Sequence, residues 1–250
     1  MTDIDVINGQ CAGCDKPMTR EVPASATGGM AKVWRSATFW CDECGERRQQ
    51  ERDQAALHER LVARVDASGL PVGRRQMLAD LSHSRPVLDM CQAWVRGEIL
   101  GLMLTGPVGT GKTTLAGAAV FELLATRPVL WAPLGTFFAR LGLPFEHEGR
   151  RWAIEVVDGN HGLAFDDLDK ARNTEFGREQ VFTAIDHRIE HGLPLIITSN
   201  MDMDEIATRF GDAVASRLAG YCALVVVDGP DRRLGAAQAS NRTALEEGAA

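Results

Sequence analysis

The 250 residues are 45% hydrophobic, 24% charged and 6% aromatic, enough apolar material for one good core and a small extra module, which excludes disorder as the main state. With 27 Lys and Arg against 34 Asp and Glu the formal charge is −7, so a protein that coats DNA through general basicity is excluded and any nucleic-acid contact needs a local patch. No run reaches the roughly 18 consecutive apolar residues of a membrane span, and the opening MTDIDVINGQ is acidic where a secretory leader is basic and then apolar; a cytoplasmic chain with no membrane association is expected.

Residues 1–48 read as a small zinc-binding module. Four of the six cysteines form two short pairs, Cys11-Ala-Gly-Cys14 and Cys41-Asp-Glu-Cys44, with 26 residues between them. That gap is long but compatible with a zinc ribbon. Each pair can form a knuckle that points two thiolates at one ion. Four sulfurs complete a tetrahedral shell with no open position, which predicts a structural Zn2+ rather than a catalytic one. A thioredoxin-like redox pair fits poorly, because neither pair is expected to open a helix in a strand-helix-strand unit.

Between the pairs, Val33 to Trp40 alternates as a strand would, with Trp34, Phe39 and Trp40 interleaved by Lys32 and Arg35. Such a pattern can stack on single-stranded nucleic acid, but a small module also needs its aromatics for a core or a protein interface, and the latter reading is preferred. Residues 1–60 carry 8 Lys and Arg against 10 Asp and Glu, which favours a protein partner over direct single-stranded DNA binding.

From Glu46 to Ser68 the chain has no Gly or Pro and mixes both charges around a few apolar residues, the pattern of a solvated helix; residues 49–70 are taken as a linker ending at Gly69 and Pro71. Residues 71–230 then alternate strand and helix segments as a parallel α/β sheet does. Strands are expected at 99–105, 128–132, 163–167, 195–199 and 223–228, and helices at 113–126, 136–141, 174–191 and, as two short ones, 203–220. Residues 231–250 read as a loose, polar tail. Cys91 and Cys222 read as small buried residues, and the histidines are assigned no chemistry.

The sharpest signal is Gly106-Pro107-Val108-Gly109-Thr110-Gly111-Lys112-Thr113, a full G-x-x-x-x-G-K-[ST] match with an apolar strand before it and a helix after it. Glycines let the backbone fold around phosphate oxygens, while the helix presents unpaired N–H groups, those of Thr113 and Thr114 among them, to the same anion. Lys112 is expected to reach the outer phosphates of ATP, and the Thr113 hydroxyl to hold Mg2+.

The run Gly162-Leu-Ala-Phe-Asp166-Asp167 ends a second buried strand in two acids. Asp166 is expected to hold Mg2+ and Asp167 to orient or deprotonate the attacking water. Asn200, at the end of a third strand, falls at the same sheet edge, where it can hold that water or the γ-phosphate. Arg217, with Arg209 second, is chosen as an arginine supplied to the γ-phosphate of a neighbouring copy, which makes the active form a homo-oligomer.

Together, GLMLTGPVGTGKTTLA, LAFDDLDK, IITSN and RFGDAVASRLAGYC make residues 70–228 resemble the DnaC-type (IstB/DnaC-like) helicase loaders of the AAA+ ATPases, in their phage or prophage branch. The resemblance implies a five-stranded parallel P-loop sheet flanked by helices, with the sensor strand between the phosphate-loop strand and the acidic strand. It also implies Asn200 as sensor, Arg217 as finger, and a hexameric replicative DNA helicase as the partner loaded under control of ATP.

With 22 residues after the last strand, the C-terminal helical lid of many AAA+ proteins is not expected, and Arg232 and Arg233 are not assigned the role of a lid arginine. The alternative is an IstB-like ATPase that assists a DNA transposase. A third reading keeps the nucleotide as a structural switch with negligible turnover.

Overall fold

The computed structural model describes residues 4–23 and 38–232, which divide into two compact units, 1–60 and 61–250. In the first unit, β1 (Ile4–Gln10) and β2 (Pro17–Pro23) form an antiparallel hairpin whose register runs from Ile4 opposite Pro23 to Gln10 opposite Pro17. The first cysteine pair is therefore the turn of a hairpin. Of the strand expected over 33–40, residues 33–37 lie outside the described residues, and 38–40 belong to no strand. Phe39 instead turns inward. Its ring lies so close to Gly9 that a Cβ there would fall 2.8 Å from Cδ2, and its carbonyl accepts from the Ala12 N–H at 2.9 Å.

Helix α1 (Asp42–Ser68) begins four residues before the expected start. Cys41 immediately precedes it and Cys44 lies in its first turn, so the second cysteine pair opens a helix, but one that follows an antiparallel hairpin and not one within a strand-helix-strand unit. Asp42 and Glu43 explain the early start, since carboxylates in a first turn complement the positive helix end. The boundary between the two units falls inside this helix, after Arg60.

The second unit is a five-stranded parallel sheet. Its strands are β3 (Gly101–Thr105), β4 (Val129–Pro133), β5 (Gly162–Asp166), β6 (Leu195–Thr198) and β7 (Cys222–Val226), in the spatial order β4-β5-β6-β3-β7. The strand carrying Asn200's segment thus lies between the phosphate-loop strand and the acidic strand, as the resemblance implied. Four of the strands are buried along almost their whole length because helices cover both faces, which is why they read as unbroken apolar runs.

On one face α2 (Arg85–Arg96) and α3 (Lys112–Leu123) bury Trp94, Leu115 and Val120 against Leu102, Leu104 and Ile196. On the other, α4 (Leu134–Leu141), α5 (Glu148–Asp158), α6 (Glu175–Glu190), α7 (Met203–Phe210) and α8 (Asp212–Tyr221) build a core around Phe137, Phe165, Ile185 and Ile197. After β3 the chain crosses to the far edge at β4, steps back through β5 and β6, and passes β3 to reach β7. This reversal around β3 opens a crevice at the strands' carboxyl ends, where open parallel sheets bind ligands.

Candidate nucleotide and metal sites

The crevice is a cavity of 410 Å³. The loop from Gly106 to Gly111 forms its floor and α3 leaves from it. Gly111 adopts φ +98°, a left-handed conformation, and a Cβ there would fall 2.6 Å from His83 Nε2; both demands select glycine. Inside the loop, Thr110 Oγ1 donates to Pro107 O at 3.0 Å, and Lys112 Nζ donates to Gly106 O at 2.8 Å and Pro107 O at 2.6 Å. The ammonium is thus held by neutral loop carbonyls beside the cavity, where an anionic phosphate oxygen is the stronger acceptor.

Asp166 ends β5 as a buried carboxylate. Burial pushes its carboxyl above the ordinary range, while hydrogen bonds from Thr198 and Thr113 oppose that shift. The Thr113 hydroxyl and the Asp166 carboxylate, the two groups expected to share Mg2+, therefore meet directly. A carboxylate whose charge is penalised by burial, next to a hydroxyl at a phosphate loop, fits a hard divalent cation.

Asp167 sits at φ +58°, and its N–H donates to Thr198 Oγ1 at 2.9 Å, while the same hydroxyl donates to Asp166 Oδ1 at 2.7 Å. Thr198 therefore fixes both acids, and the left-handed turn leaves Asp167 lining the cavity. Asn200 also lines it; its Nδ2 donates to Asp169 Oδ1 at 3.1 Å. Asp169 belongs to a 3-10 turn over Leu168–Lys170 rather than to a plain loop.

Arg217 lies elsewhere. From α8 it forms an ion pair with Asp186 on α6 and stands 5.4 Å from the centroid of Phe182. Arg209 donates to Ala171 O at 2.7 Å. Neither lines the cavity of its own chain. The structure thus brings together the phosphate loop, Asp166, Asp167 and Asn200, and leaves both candidate fingers on another part of the surface.

Sequence reasoning missed four polar wall residues. Arg74, from a 3-10 turn at Val72–Arg74, donates to Thr114 Oγ1 at 2.7 Å. His83 approaches Thr110 O at 3.2 Å through Nε2, and its imidazole is held below the usual range by burial and by the charge of Arg232. Arg232 and Lys170 complete the set. Arg74, His83 and Arg232 belong to no motif, so only tertiary placement reveals them.

In the first unit, the Sγ atoms of Cys11, Cys14, Cys41 and Cys44 all lie within 4.8 Å of one another, with Cys11 to Cys41 at 3.6 Å and Cys14 to Cys41 at 3.7 Å. A tetrahedral Zn–S4 shell with bonds of about 2.3 Å requires sulfurs about 3.8 Å apart, so the cluster has the right size. The Cys41 and Gly13 amides donate to Cys11 Sγ at 3.3 and 3.4 Å and hold that thiol down at about 6. Its neighbour Cys44 is pushed up to about 12 by its contact with Cys41 and by burial. Sulfurs this close cannot all ionise without a cation among them. Gly13 is needed sterically, since a Cβ would fall 2.9 Å from Cys44 Sγ. Cys91 and Cys222 are buried singly, and burial pushes each thiol up to about 12.

No protein-family model and no curated protein matches the sequence. Among solved structures, the chain is similar to DnaI (21% identity, TM-score 0.56, 66% of this chain and 94% of that one) and to the DnaC helicase loader (23%, 0.53, 61% and 96%). It is also similar to AMPPCP-bound DnaA from Aquifex aeolicus (18%, 0.56, 64% and 51%). The shared feature is the fold, a parallel sheet of five strands with the phosphate loop at the end of its central region. Among the described residues no helix is long and apolar enough to cross a membrane.

Proposed function

We propose that the chain is a magnesium-dependent ATPase that loads a hexameric replicative DNA helicase, with ATP controlling assembly and hydrolysis controlling release. The observation that carries the ATPase reading is a cavity lined by the phosphate loop, Thr113 and Asp167, behind which the buried Asp166 and Thr198 link those two residues by hydrogen bonds. The helicase is suggested by the likeness to DnaI and to the DnaC helicase loader.

Bound MgATP supplies the reacting γ-phosphate and the metal charge that offsets its oxygens. Thr113 and Asp166 are the residues to hold the metal. Lys112 exchanges its loop carbonyls for phosphate oxygens. Asp167 accepts the proton of the attacking water, and Asn200 orients that water, being itself oriented by Asp169. Arg217 serves a neighbouring copy, having left the Asp186 pair, so activity should rise with protein concentration as copies associate. The four-sulfur unit, as a Zn2+ module over residues 1–48, and the linker helix hold the helicase; direct single-stranded DNA contact is secondary.

Phosphate release and co-sedimentation with the helicase from the same genome test this reading in the full chain. Lys112→Ala should abolish ATP binding, and Asp167→Asn should bind ATP while lowering release by about a hundredfold. An unchanged rate in both variants would falsify the active site. Assembly on duplex DNA, with no ATP-dependent helicase binding, would move the function to the transposase helper.

A further inference from the structure

Helix α3 starts at the phosphate loop, and the chain around the end of α1 is laid along it. At the far end of α3, Arg64 in the last turns of α1 donates through Nη1 to Leu124 O at 3.3 Å and Ala125 O at 3.0 Å. The Leu78 N–H donates to Glu122 Oε1 at 2.7 Å. Towards the loop, the 3-10 turn at Val72–Arg74 crosses α3 so closely that a Cβ on Gly117 would fall 2.7 Å from the Arg74 Cβ. Glycine weakens a helix interior, and this crossing explains its place at 117.

The crossing brings one cation to the site. Arg74 is half-buried, lines the cavity, and donates through Nη1 to Thr114 Oγ1 at 2.7 Å. Its charge reaches Asp166 and opposes the upward shift that burial imposes there. Thr114 Oγ1 is a neutral acceptor and occupies one arm of a five-donor guanidinium, whereas a phosphate oxygen is anionic and suits the fork of the group. Thr114 stands in the first turn of α3, and the backbone N–H groups of a loop of this kind cradle the α- and β-phosphates; Asp167, Lys170 and Asn200 enter the cavity from the strand ends instead. The backbone behind Arg74 is fixed. Leu70 is buried, its N–H donates to Ser68 Oγ at 3.1 Å, and its carbonyl accepts from Arg75 Nε at 3.3 Å, while Ser68 Oγ donates to Val65 O at 2.7 Å. The end of α1 and the turn carrying Arg74 are therefore tied together.

We propose that Arg74 is a nucleotide-binding residue that exchanges Thr114 for the inner, α- and β-phosphates of ATP or ADP, and that this exchange reports occupancy of the site to the end of α1. The role rests on the ATP site described under the proposed function, to which it adds a cation from the segment that precedes the sheet.

The test uses the full chain and competition of ATP and of ADP against a ribose-labelled fluorescent ADP. Arg74→Gln keeps a long side chain with a donor for Thr114 and removes the charge, so it should melt as the parent does. A hydrogen bond to a charged group accounts for a factor of about 10 to 100 in affinity, so Arg74→Gln should weaken ATP and ADP alike by a factor in that range, with Arg74→Lys in between. Unchanged affinity in Arg74→Gln overturns the proposal, and a loss for ATP without a loss for ADP overturns the assignment to the inner phosphates. A loss of affinity that follows a lowered melting point in both variants makes Arg74 a structural residue and overturns it as well.

Hydrogen exchange supplies a second readout. Saturating ATP or ADP should alter exchange over residues 65–76 in the parent and not in Arg74→Gln; no change in the parent overturns the report to α1. Lys112→Ala separates the two levels, because ATP binding retained in that variant refutes the underlying site, whereas its loss there with no loss in Arg74→Gln refutes only the role of Arg74.

Discussion

Asp166 and Thr198 show how one pair of side chains can be costly in the empty protein and useful in the loaded one. Folding places the Asp166 carboxylate beside Thr198, Thr113 and its neighbour Asp167, within reach of the Arg74 charge, and burial dominates the resulting upward shift. A folded-state pKa above the unfolded value means that the group's contribution to stability is full below the unfolded pKa and is lost as pH rises through the folded one. Asp166→Asn removes that loss while keeping an acceptor for Thr198. At neutral pH, without nucleotide, the variant should therefore melt about 2–4 °C higher, a difference on the order of 1 kcal/mol, and the two proteins should converge in acid. The same variant should lose magnesium-dependent phosphate release. Thermal melts across pH check the first outcome, and a variant less stable at neutral pH would contradict it.

The loop glycines and Lys112 were legible because phosphate imposes fixed spacing on a continuous segment. Thr198 was not, because its role depends on Asp166 and Asp167, about thirty residues earlier in the chain. Arg232 is further removed still, meeting Ser82 across a separation of 150 residues. Nothing local distinguishes such residues from ordinary strand or surface positions.

At the scale of elements, the five strands announced themselves as apolar runs because both sheet faces are covered, and their ends shifted by only one or two residues. Two helices escaped. In α2, Val87, Cys91 and Trp94 bury one face at helical spacing, with Pro86 in the first turn and Gly97 at φ +75° closing the end; this signal was present but unread. In α5 only Ala153 and Val156 are fully buried, and the N-cap is His147, whose Nδ1 accepts from Gly149 N–H at 2.9 Å. Such a cap lies outside the usual Ser, Thr, Asp and Asn set.

By contrast α7 begins with a full capping box: Asp202 Oδ1 accepts from Glu205 N–H at 2.8 Å, and Glu205 Oε2 accepts from Asp202 N–H at 2.9 Å. The box fixes where β6 gives way to helix, two residues past Asn200. Asp202→Ala should cost about 1 kcal/mol by denaturant titration, because the Glu205 N–H in the first turn loses its acceptor. Nucleotide affinity should be unchanged, since Asn200 is held from the other side by Asp169. A loss of affinity in this variant would show that α7, rather than the 3-10 turn, positions Asn200.

At the scale of the molecule, the two units rest on different sources of stability. The sheet unit buries two extensive apolar layers. The first unit has, among its described residues, Cys11, Phe39 and Cys44 as its buried apolar groups, too little for an independent core of that size. Its four sulfurs come from a hairpin turn and a helix start about thirty residues apart, so a bound ion would close the loop between them and join elements that little else connects. Cysteine spacing made this cluster legible, but the hairpin carrying it was not, since IDVINGQ and PMTREVP are short and mixed in character.

If zinc is what holds this unit, chelation of the full chain should expose residues 4–41 to protease while the sheet unit keeps its melting transition and its affinity for ATP. One zinc per chain should be released, and Cys44→Ser should reproduce the protease pattern without chelator. Zinc retention should fall on acidification, because protons compete for the thiolates. A simultaneous loss of nucleotide binding would contradict separate folding, and protease resistance after complete metal removal would show that the hairpin and Phe39 hold the unit unaided.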